Sequence, residues 1–267
     1  MSTHDVVVSS RRTAEQFAFR DLDDLPDERL DDLDEVDEIE VELVVLALAG
    51  TTVVDDGLVE HAYERAMDRA GIAVPAEERI RALAFVRENI GRAKGEVLGE
   101  LAGDADQAGR AISEFESAFS ELADREGLEA VPGAELTIRT LREHGVHVAL
   151  TTGLTRCTME AILGALSWEH LADVVLCSDD VERGRPYPDL ALTAVLRTGT
   201  SSVDSMIVVG DTVSDIESGI AAGAGVTVGV LTGWHDERAL TLAGADAVID
   251  SIADLPALLG LTNDRIA

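Results

Sequence analysis

Several residue types are scarce in this chain, and each scarcity excludes a class of protein. Two cysteines, Cys157 and Cys177, occur among 267 residues. That is too few for a disulfide framework or a zinc cluster, so we interpret both as reduced packing residues. No apolar run reaches the roughly 18 residues that a membrane-spanning helix needs, and the start of the chain lacks the order of a secretory signal. The sequence therefore predicts a cytoplasmic protein.

Basic residues are scarce as well. The chain has 21 Lys and Arg against 52 Asp and Glu, which gives a formal net charge of -31. A surface of this charge repels phosphate backbones and anionic lipids, so neither nucleic acid nor a membrane is an expected partner. Lysine is the scarcest basic residue, because Lys94 stands alone beside twenty arginines.

Acidic residues concentrate near the start of the chain. Residues 21–42 carry thirteen acidic side chains and one base, Arg29. We interpret residues 1–40 as a solvated, disordered acidic tail, because this composition buries too little apolar surface to fold. The alternative is a short amphipathic helix or a segment that docks on a protein partner, since apolar residues recur near the helical repeat. These residues are Leu22, Leu25, Leu30, Leu33 and Val36.

From residue 43 onward, short aliphatic runs alternate with longer helical patterns. The alternation predicts an α/β fold, in which right-handed crossovers build a Rossmann-like parallel sheet with helices on both faces. The predicted strands are 43–48, 147–151, 173–177, 206–209, 226–230 and 247–249.

The interval between the first two predicted strands is too long for one crossover. Residues 58–130 hold charged helical patterns rich in Ala and Glu, so we predict a helical domain inserted after the first strand. Pro132 and Gly133 mark the return of the chain to the core. The predicted domains are the tail of 1–40, a core of 41–57 with 131–267, and the insertion of 58–130.

Polar residues follow the predicted strands at the positions where a parallel sheet binds ligands, outside the carboxyl ends. The first strand breaks into Ala-Gly-Thr-Thr at 49–52, a turn that presents backbone amides to a phosphate. Thr151 and Thr152 end the second strand, and either hydroxyl can bind a phosphate oxygen. Arg185, between a glycine and two prolines, follows the third strand. Together these residues predict a phosphate site.

Two carboxylates follow the fourth predicted strand. Asp211 and Asp215 stand four residues apart where the strand leads into a helix. Mg²⁺ takes hard oxygen ligands and uses one or two carboxylates together with substrate phosphate. The same spacing is as often a helix cap as a metal site, but four such motifs in this order indicate phosphoryl-transfer chemistry.

This set of motifs resembles the haloacid dehalogenase superfamily and, within it, the phosphonoacetaldehyde hydrolase (phosphonatase) branch. The resemblance covers roughly residues 41–250. An alanine at position 49 is typical of that branch, which uses only the backbone carbonyl there. The residues similar to the four motifs of the branch are 49–53, then Thr152, then Arg185, then Asp211 with Asp215.

The resemblance implies a small phosphorylated or phosphonate metabolite as ligand and Mg²⁺ as cofactor. Asp211, Asp215 and the backbone carbonyl of Ala49 would hold the metal. The helical insertion would be a mobile cap that closes over the site and excludes water, and a homodimer formed through the cap is expected. The residues that would hold the phosphoryl oxygens are Thr51, Thr152, Gly153 and Arg185.

Lys94 ends the segment Ile-Gly-Arg-Ala-Lys at 90–94, which is similar to the Met-Gly-x-x-Lys segment of the phosphonatase cap. In that branch the lysine forms a Schiff base with the substrate aldehyde, and the iminium accepts the electrons released when the C–P bond breaks. Arginine cannot replace it, because its guanidinium is never a neutral nucleophile near pH 7. The alternative is a solvent-facing helix lysine.

Ala47 occupies the position at which the resemblance implies the aspartate that attacks phosphorus. A methyl group neither attacks phosphorus nor binds Mg²⁺, and we expect Asp55 and Asp56, eight and nine residues later, not to replace it. Three explanations stay open: a naturally inactive homologue, an engineered substitution, or another reaction in which Lys94 forms an imine.

The sequence therefore predicts a hydrolase homologue with strongly impaired phosphoryl or phosphonyl hydrolysis. The alternative is a non-catalytic protein that binds a phosphorylated metabolite or regulates a partner through the acidic tail.

Overall fold

The chain builds its core on a parallel sheet. The computed structural model describes residues 6–10, 37–73 and 75–261. Within them, the strands in chain order are β1 (Val7–Ser10), β2 (Asp37–Glu40), β3 (Leu43–Ala47), β4 (His147–Thr151), β5 (Val174–Leu176), β6 (Met206–Gly210), β7 (Val226–Val230) and β8 (Ala247–Ile249). Six of these described strands form the main sheet in the order β5-β4-β3-β6-β7-β8, and every neighbouring pair is parallel.

β3 lies at the centre of this sheet, and its sequence explains the position. All five of its residues are buried, which suits a strand covered on both faces, where only apolar side chains escape a desolvation cost. Val44 and Leu46 belong to one core cluster, and Leu43 and Val45 to the other. The α/β fold class predicted from the sequence is confirmed, and the main sheet contains the predicted strands.

The helical insertion follows β3. Its described helices are α1 (Leu58–Ala70), α2 (Ala76–Glu88), α3 (Lys94–Leu101) and α4 (Ala105–Glu126). α1 packs along α4, because each helix places small and apolar residues at helical spacing on the shared face. Tyr63 of α1 meets Phe115 of α4 edge to face, with ring centroids 5.0 Å apart, so aromatic contact adds to the aliphatic packing.

The remaining helices connect the later strands of the core. They are α5 (Ala134–Glu143), α6 (Arg156–Leu166), α7 (Asp189–Thr198), α8 (Val213–Ala222), α9 (Glu237–Leu242) and α10 (Leu255–Leu258). Because the strands run parallel, the loops that leave their carboxyl ends all gather at one edge of the sheet. None of the helices in the described ranges is both long enough and apolar enough to cross a membrane.

The structure differs from the predicted disordered tail in two stretches. β1 pairs with β2 in an antiparallel ladder, and the N–H of Val41 donates to the carbonyl of Val6 at 2.7 Å. Both valines are buried, so this end of the chain contributes apolar surface that a count of acidic residues overlooks. For residues 6–10 and 37–40 the structure thus has paired strands where the sequence predicts a disordered tail. Residues 11–36, which include the alternative amphipathic helix, lie outside the described residues.

The turn between α2 and α3 carries the insertion onto the strand-end loops of the core. A Cβ on Gly91 would lie 2.4 Å from the Oγ1 of Thr212, and a Cβ on Gly153 would lie 2.5 Å from the carbonyl oxygen of Arg92. The N–H of Lys94 donates to the carbonyl of Gly153 at 3.0 Å. Glycine at both positions therefore lets the two backbones approach and close the insertion over the core.

Replacing Gly153 by alanine should weaken this closure. The added methyl would overlap the carbonyl of Arg92, and overpacking of this kind costs about 1–3 kcal/mol. Chemical denaturation should show a loss of that size in the free energy of unfolding. Gly164→Ala is the matched control, because nothing lies within 4 Å of a Cβ there and alanine in helix α6 stabilises by about 1 kcal/mol. A Gly153→Ala variant as stable as the unmodified chain would contradict the close contact.

Candidate active site

The strand-end loops and the turn of the insertion enclose a cavity of about 30 Å³. This volume suits about one water molecule, so the site is narrow. The cavity contains residues from each of the sequence motifs as well as from the insertion, so the structure brings distant parts of the chain together. The predicted site residues that line it are Ala49, Lys94, Thr152, Gly153, Arg185, Asp211 and Asp215.

Ala47 is the last residue of β3, and its side chain is 2 % exposed. It pairs with Thr151 of β4, whose hydroxyl accepts a hydrogen bond from the Nη2 of Arg185. The guanidinium is therefore bonded to the strand neighbour of Ala47, and the methyl group of Ala47 offers no polar atom of its own.

Asp211 follows β6, and two loops hold its carboxylate. The hydroxyl of Thr51 donates to Oδ1 at 2.9 Å, and the N–H of Trp234 donates to Oδ2 at 2.9 Å. Gly50 has a φ of 81° and lies so close that a Cβ there would fall 2.2 Å from Oδ2, which requires glycine. Burial, and then the negative charge of Asp215, raise the pKa of Asp211 to about 7.

Asp215 and Arg185 form a buried ion pair, with 2.8 Å between Oδ1 and Nη1. The other oxygen, Oδ2, accepts from the N–H and the hydroxyl of Thr212 at 3.0 and 2.5 Å, which caps the start of α8. Oδ1 is buried and has the guanidinium as a charged neighbour, but it makes no hydrogen bond. This geometry is compatible with Asp215 either binding a metal ion through Oδ1 or supporting the site through Arg185.

The predicted phosphate-binding residues divide into two groups. Thr152 and Gly153 line the cavity beside Arg185. The Oγ1 of Thr152 accepts from the N–H of Leu154 at 3.1 Å, and its hydroxyl hydrogen can still donate to an anion. Thr51 is fully buried and donates its hydroxyl to Asp211, so its side chain positions a carboxylate.

Lys94 begins α3 and is only 4 % exposed, so the alternative of a solvent-facing lysine is wrong. Its Nζ lies 5.4 Å from the ring centroid of Tyr63, and no carboxylate of the described residues lies within ion-pair distance of it. Burial lowers the pKa of Lys94 to about 8, against the opposing charge of Asp55. The lowered pKa increases the neutral, nucleophilic fraction of the amine near pH 7.

Asp55 is a site residue that sequence reasoning set aside. The structure places it in the cavity lining with Lys94, although it follows β3 by eight residues. Its Oδ1 accepts from the N–H of Val59 at 3.0 Å, and burial raises the pKa of its carboxyl. In the sequence, an acidic residue just before a helical pattern predicts a helix cap. This pattern does not indicate that the same side chain also lines a cavity.

The oxygen donors of the site fit a weak Mg²⁺ site. Asp211 and Ala49 both line the cavity, and a carboxylate with a backbone carbonyl is a donor set that Mg²⁺ accepts when substrate and water complete it. No group of three His, Cys, Asp or Glu side chains within the described ranges is arranged to hold a metal. Ala47 is not among the residues that line the cavity.

Comparisons with known proteins agree with this geometry. The profile of the haloacid dehalogenase-like hydrolase family matches residues 50–229. A phosphonoacetaldehyde hydrolase of Bacillus cereus (strain B4264) is 31% identical over 211 residues, which cover 73% of this chain and 77% of that protein. A second, from strain ATCC 14579, is 31% identical over 208 residues with the same coverage.

Solved structures show the same likeness. A hydrolase from Pseudomonas syringae superposes with a TM-score of 0.72 and 25% identity, covering 82% of this chain and 98% of that one. A phosphonoacetaldehyde hydrolase-like protein from Oleispira antarctica superposes with a TM-score of 0.70 and 26% identity, covering 82% and 91%.

The matched profile spans the loops that carry Thr152, Arg185 and Asp211, so the likeness includes these parts of the site. The resemblance predicted from the motifs is confirmed. The chain belongs to the haloacid dehalogenase-like hydrolases, in their phosphonoacetaldehyde hydrolase-like branch.

Proposed function

We propose that this chain binds a small phosphonate or phosphate compound in its cavity and has strongly impaired hydrolysis of it. Ala47 is the observation that carries the proposal. In the family, a carboxylate at this position attacks phosphorus, and a methyl group has no lone pair with which to do so. Loss of a covalent nucleophile lowers the rate by many powers of ten, because only binding and electrostatics remain.

Each of the three described carboxylates that line the cavity already has a protein partner, and for Asp55 this partner is the N–H of Val59. Asp211 accepts from Thr51 and Trp234, and Asp215 pairs with Arg185. A nucleophile must approach phosphorus in line with the leaving group, and carboxylates fixed by these contacts are not free to move to position 47. This supports the loss of hydrolysis over its transfer to a neighbouring residue.

The groups that bind the ligand remain in place. Arg185 and the hydroxyl of Thr152 would hold anionic oxygens, and Lys94 would react with a carbonyl group. The amine nitrogen bonds to the carbonyl carbon, the two protons that the ammonium gives up leave with the oxygen as water, and a protonated imine remains. Since position 47 has no acceptor for phosphorus, the C–P bond of a phosphonate would stay intact.

Mg²⁺ belongs to this proposal as a weakly held cofactor. Asp211 and the carbonyl of Ala49 would hold it, with Asp215 in support through its contacts. When bound, the ion would neutralise charge on the phosphonate or phosphate oxygens. Without a carboxylate at position 47, its affinity is lower than in a chain with a complete set of ligands.

Ligand entry requires the insertion to move. A cavity of about 30 Å³ has no room for a compound of several heavy atoms. For this, Gly91 of the insertion must move away from Gly153 of the core, which it contacts closely. Lids of this kind open on the microsecond to millisecond scale.

A regulatory protein without catalytic activity is the second candidate, and Ala47 supports it equally. A protein partner for the acidic tail, a homodimer through the insertion and a cytoplasmic location stay predictions.

Replacing Ala47 by aspartate should restore hydrolysis. With Mg²⁺ and phosphonoacetaldehyde, phosphate release should rise by about 10³-fold or more, because the variant regains the acceptor for phosphorus. Ala47→Asn is the control, since it has nearly the same size and no nucleophilic charge, and it should stay at background. Phosphate release by the unmodified chain at the rate of the Ala47→Asp variant would overturn the proposal.

Borohydride trapping gives a second measurement of the same difference. In the unmodified chain, the adduct on Lys94 should retain the phosphonate group. In the Ala47→Asp variant it should be a plain ethyl group, because the C–P bond breaks before reduction. Mass spectrometry distinguishes the two, and Lys94→Arg should give no adduct at that site.

The rate of trapping should depend on pH in a predictable direction. The ammonium form of Lys94 is inert, so the rate should rise with pH through a midpoint near the pKa of about 8. An exposed lysine would have its midpoint more than two pH units higher, near the ordinary value of about 10.4. Trapping that continues to rise up to pH 10 would contradict the buried position of the amine.

Isothermal titration should show that Ala47→Asp binds Mg²⁺ about tenfold or more tightly than the unmodified chain, because affinity increases with the number of charged ligands. Asp211→Asn in the unmodified chain should abolish the remaining binding. Equal affinities in the first pair would mean that position 47 does not contribute a ligand.

A further inference from the structure

Asp55 and Lys94 approach the cavity from opposite sides of the junction between core and insertion. Asp55 lies in the loop that joins β3 to α1, and Lys94 is the first residue of α3. Both line the same cavity of about 30 Å³. Charges that share so small a cavity interact strongly, because little water is present to screen them.

The first turn of α1 fixes Asp55. The N–H of Val59 donates to its Oδ1 at 3.0 Å, so the carboxylate cannot swing into solvent without leaving a backbone donor of the helix without its partner. Its neighbour Asp56 is exposed and does not line the cavity. Two adjacent aspartates therefore have different environments, which provides a matched pair for comparison.

The other two carboxylates that line the cavity are committed to different partners. Asp211 accepts from Thr51 and Trp234, and Asp215 pairs with Arg185. Among the described carboxylates of the lining, Asp55 is therefore the one with neither role. It has no described cationic partner within ion-pair distance, and it takes no part in the hydrogen bonds around Asp211.

We propose that Asp55 is a positioning residue of this site, whose fixed carboxylate shares the cavity with the buried amine of Lys94 and balances its charge through space. The use of that amine to bind a carbonyl compound rests on the proposed function. The electrostatic influence of Asp55 on Lys94 does not.

The electrostatic surroundings of Lys94 agree with this role. Burial lowers the pKa of the amine, and the charge of Asp55 is the largest influence that opposes burial. Arg185 acts in the same direction as burial, and the two more distant carboxylates act against it. The groups that face Lys94 from the elements packed around it are Asp55, Tyr63, Arg185, Asp211 and Asp215.

Labelling of the amine tests the proposal without a carbonyl ligand. The full-length chain and its variants are treated with trace acetic anhydride across pH 6 to 11, and peptide mass spectrometry follows acetylation of Lys94, the single lysine of the chain. In Asp55→Asn the midpoint should move to lower pH by about one unit, because the ammonium form loses its nearest opposite charge. Asp56→Asn should keep the midpoint of the unmodified chain.

Asparagine retains an oxygen that can accept from Val59, so Asp55→Asn removes the charge and keeps the cap. If it fails to fold, Asp55→Ser is measured instead, since its hydroxyl can also accept there. Asp55→Glu keeps the negative charge, so its midpoint should stay close to that of the unmodified chain. A purely structural role of Asp55 would not require this charge.

A midpoint for Asp55→Asn equal to that of Asp56→Asn would overturn the proposal, and so would an upward shift. Failure of the proposed function looks different. In that case no aldehyde would be trapped on Lys94 in any variant, while the difference between the two acetylation midpoints would remain.

Discussion

The balance of charge inside a narrow cavity is the constraint on which this site depends. Among the described residues that line it, the cations Lys94 and Arg185 meet the carboxylates of Asp55, Asp211 and Asp215. With room for about one water, these groups must be neutralised by each other. The excess is one negative charge, and the pKa of Asp211, raised to about 7, reduces that excess further near neutral pH. Under the proposed function, a carboxylate at position 47 would add one negative charge next to this lining and bring the excess to two, which is the charge of one Mg²⁺ ion.

One residue of the insertion, Lys94, both contacts the core and lines the cavity. The backbone N–H of Lys94 donates to Gly153 at 3.0 Å, while its side chain lines the cavity. A Cβ on Gly184 would lie 2.6 Å from the Cβ of Ala93, so the turn also presses on the loop that carries Arg185. If the insertion opens as proposed, the amine would move away from Arg185 and Thr152, and closure would return it to them.

The sequence predicted the parts of the site that follow from a single rule, that ligands bind where parallel strands end. Thr152 directly follows β4 and Asp211 directly follows β6, so locating these strands was enough to bring the two residues together. Arg185 lies nine residues after β5, and its glycine and proline neighbours marked it as well. Asp55 did not follow from the rule, because its place depends on how the chain turns back after β3 to begin α1.

Thr51 was predicted to hold phosphate, yet its hydroxyl binds Asp211. This contact joins residues 160 positions apart, and no local pattern encodes it. β1 and β2 were missed for a related reason, since the burial of Val6 and Val41 depends on tertiary packing.

The identity of the cation at position 94 distinguishes between the ligands that this cavity could accept. A pocket that only binds phosphate would be served as well by arginine, which presents several donors to an anion and keeps its charge. Twenty arginines in the chain show that its composition favours that residue. Lysine has the one property that arginine lacks, because it can lose its proton when buried, and burial lowers the pKa of Lys94 to about 8. A neutral amine contributes little to anion binding but reacts with a carbonyl carbon. The retained amine beside Arg185 therefore favours a ligand that carries both an anionic phosphorus group and a carbonyl over a phosphate ester alone.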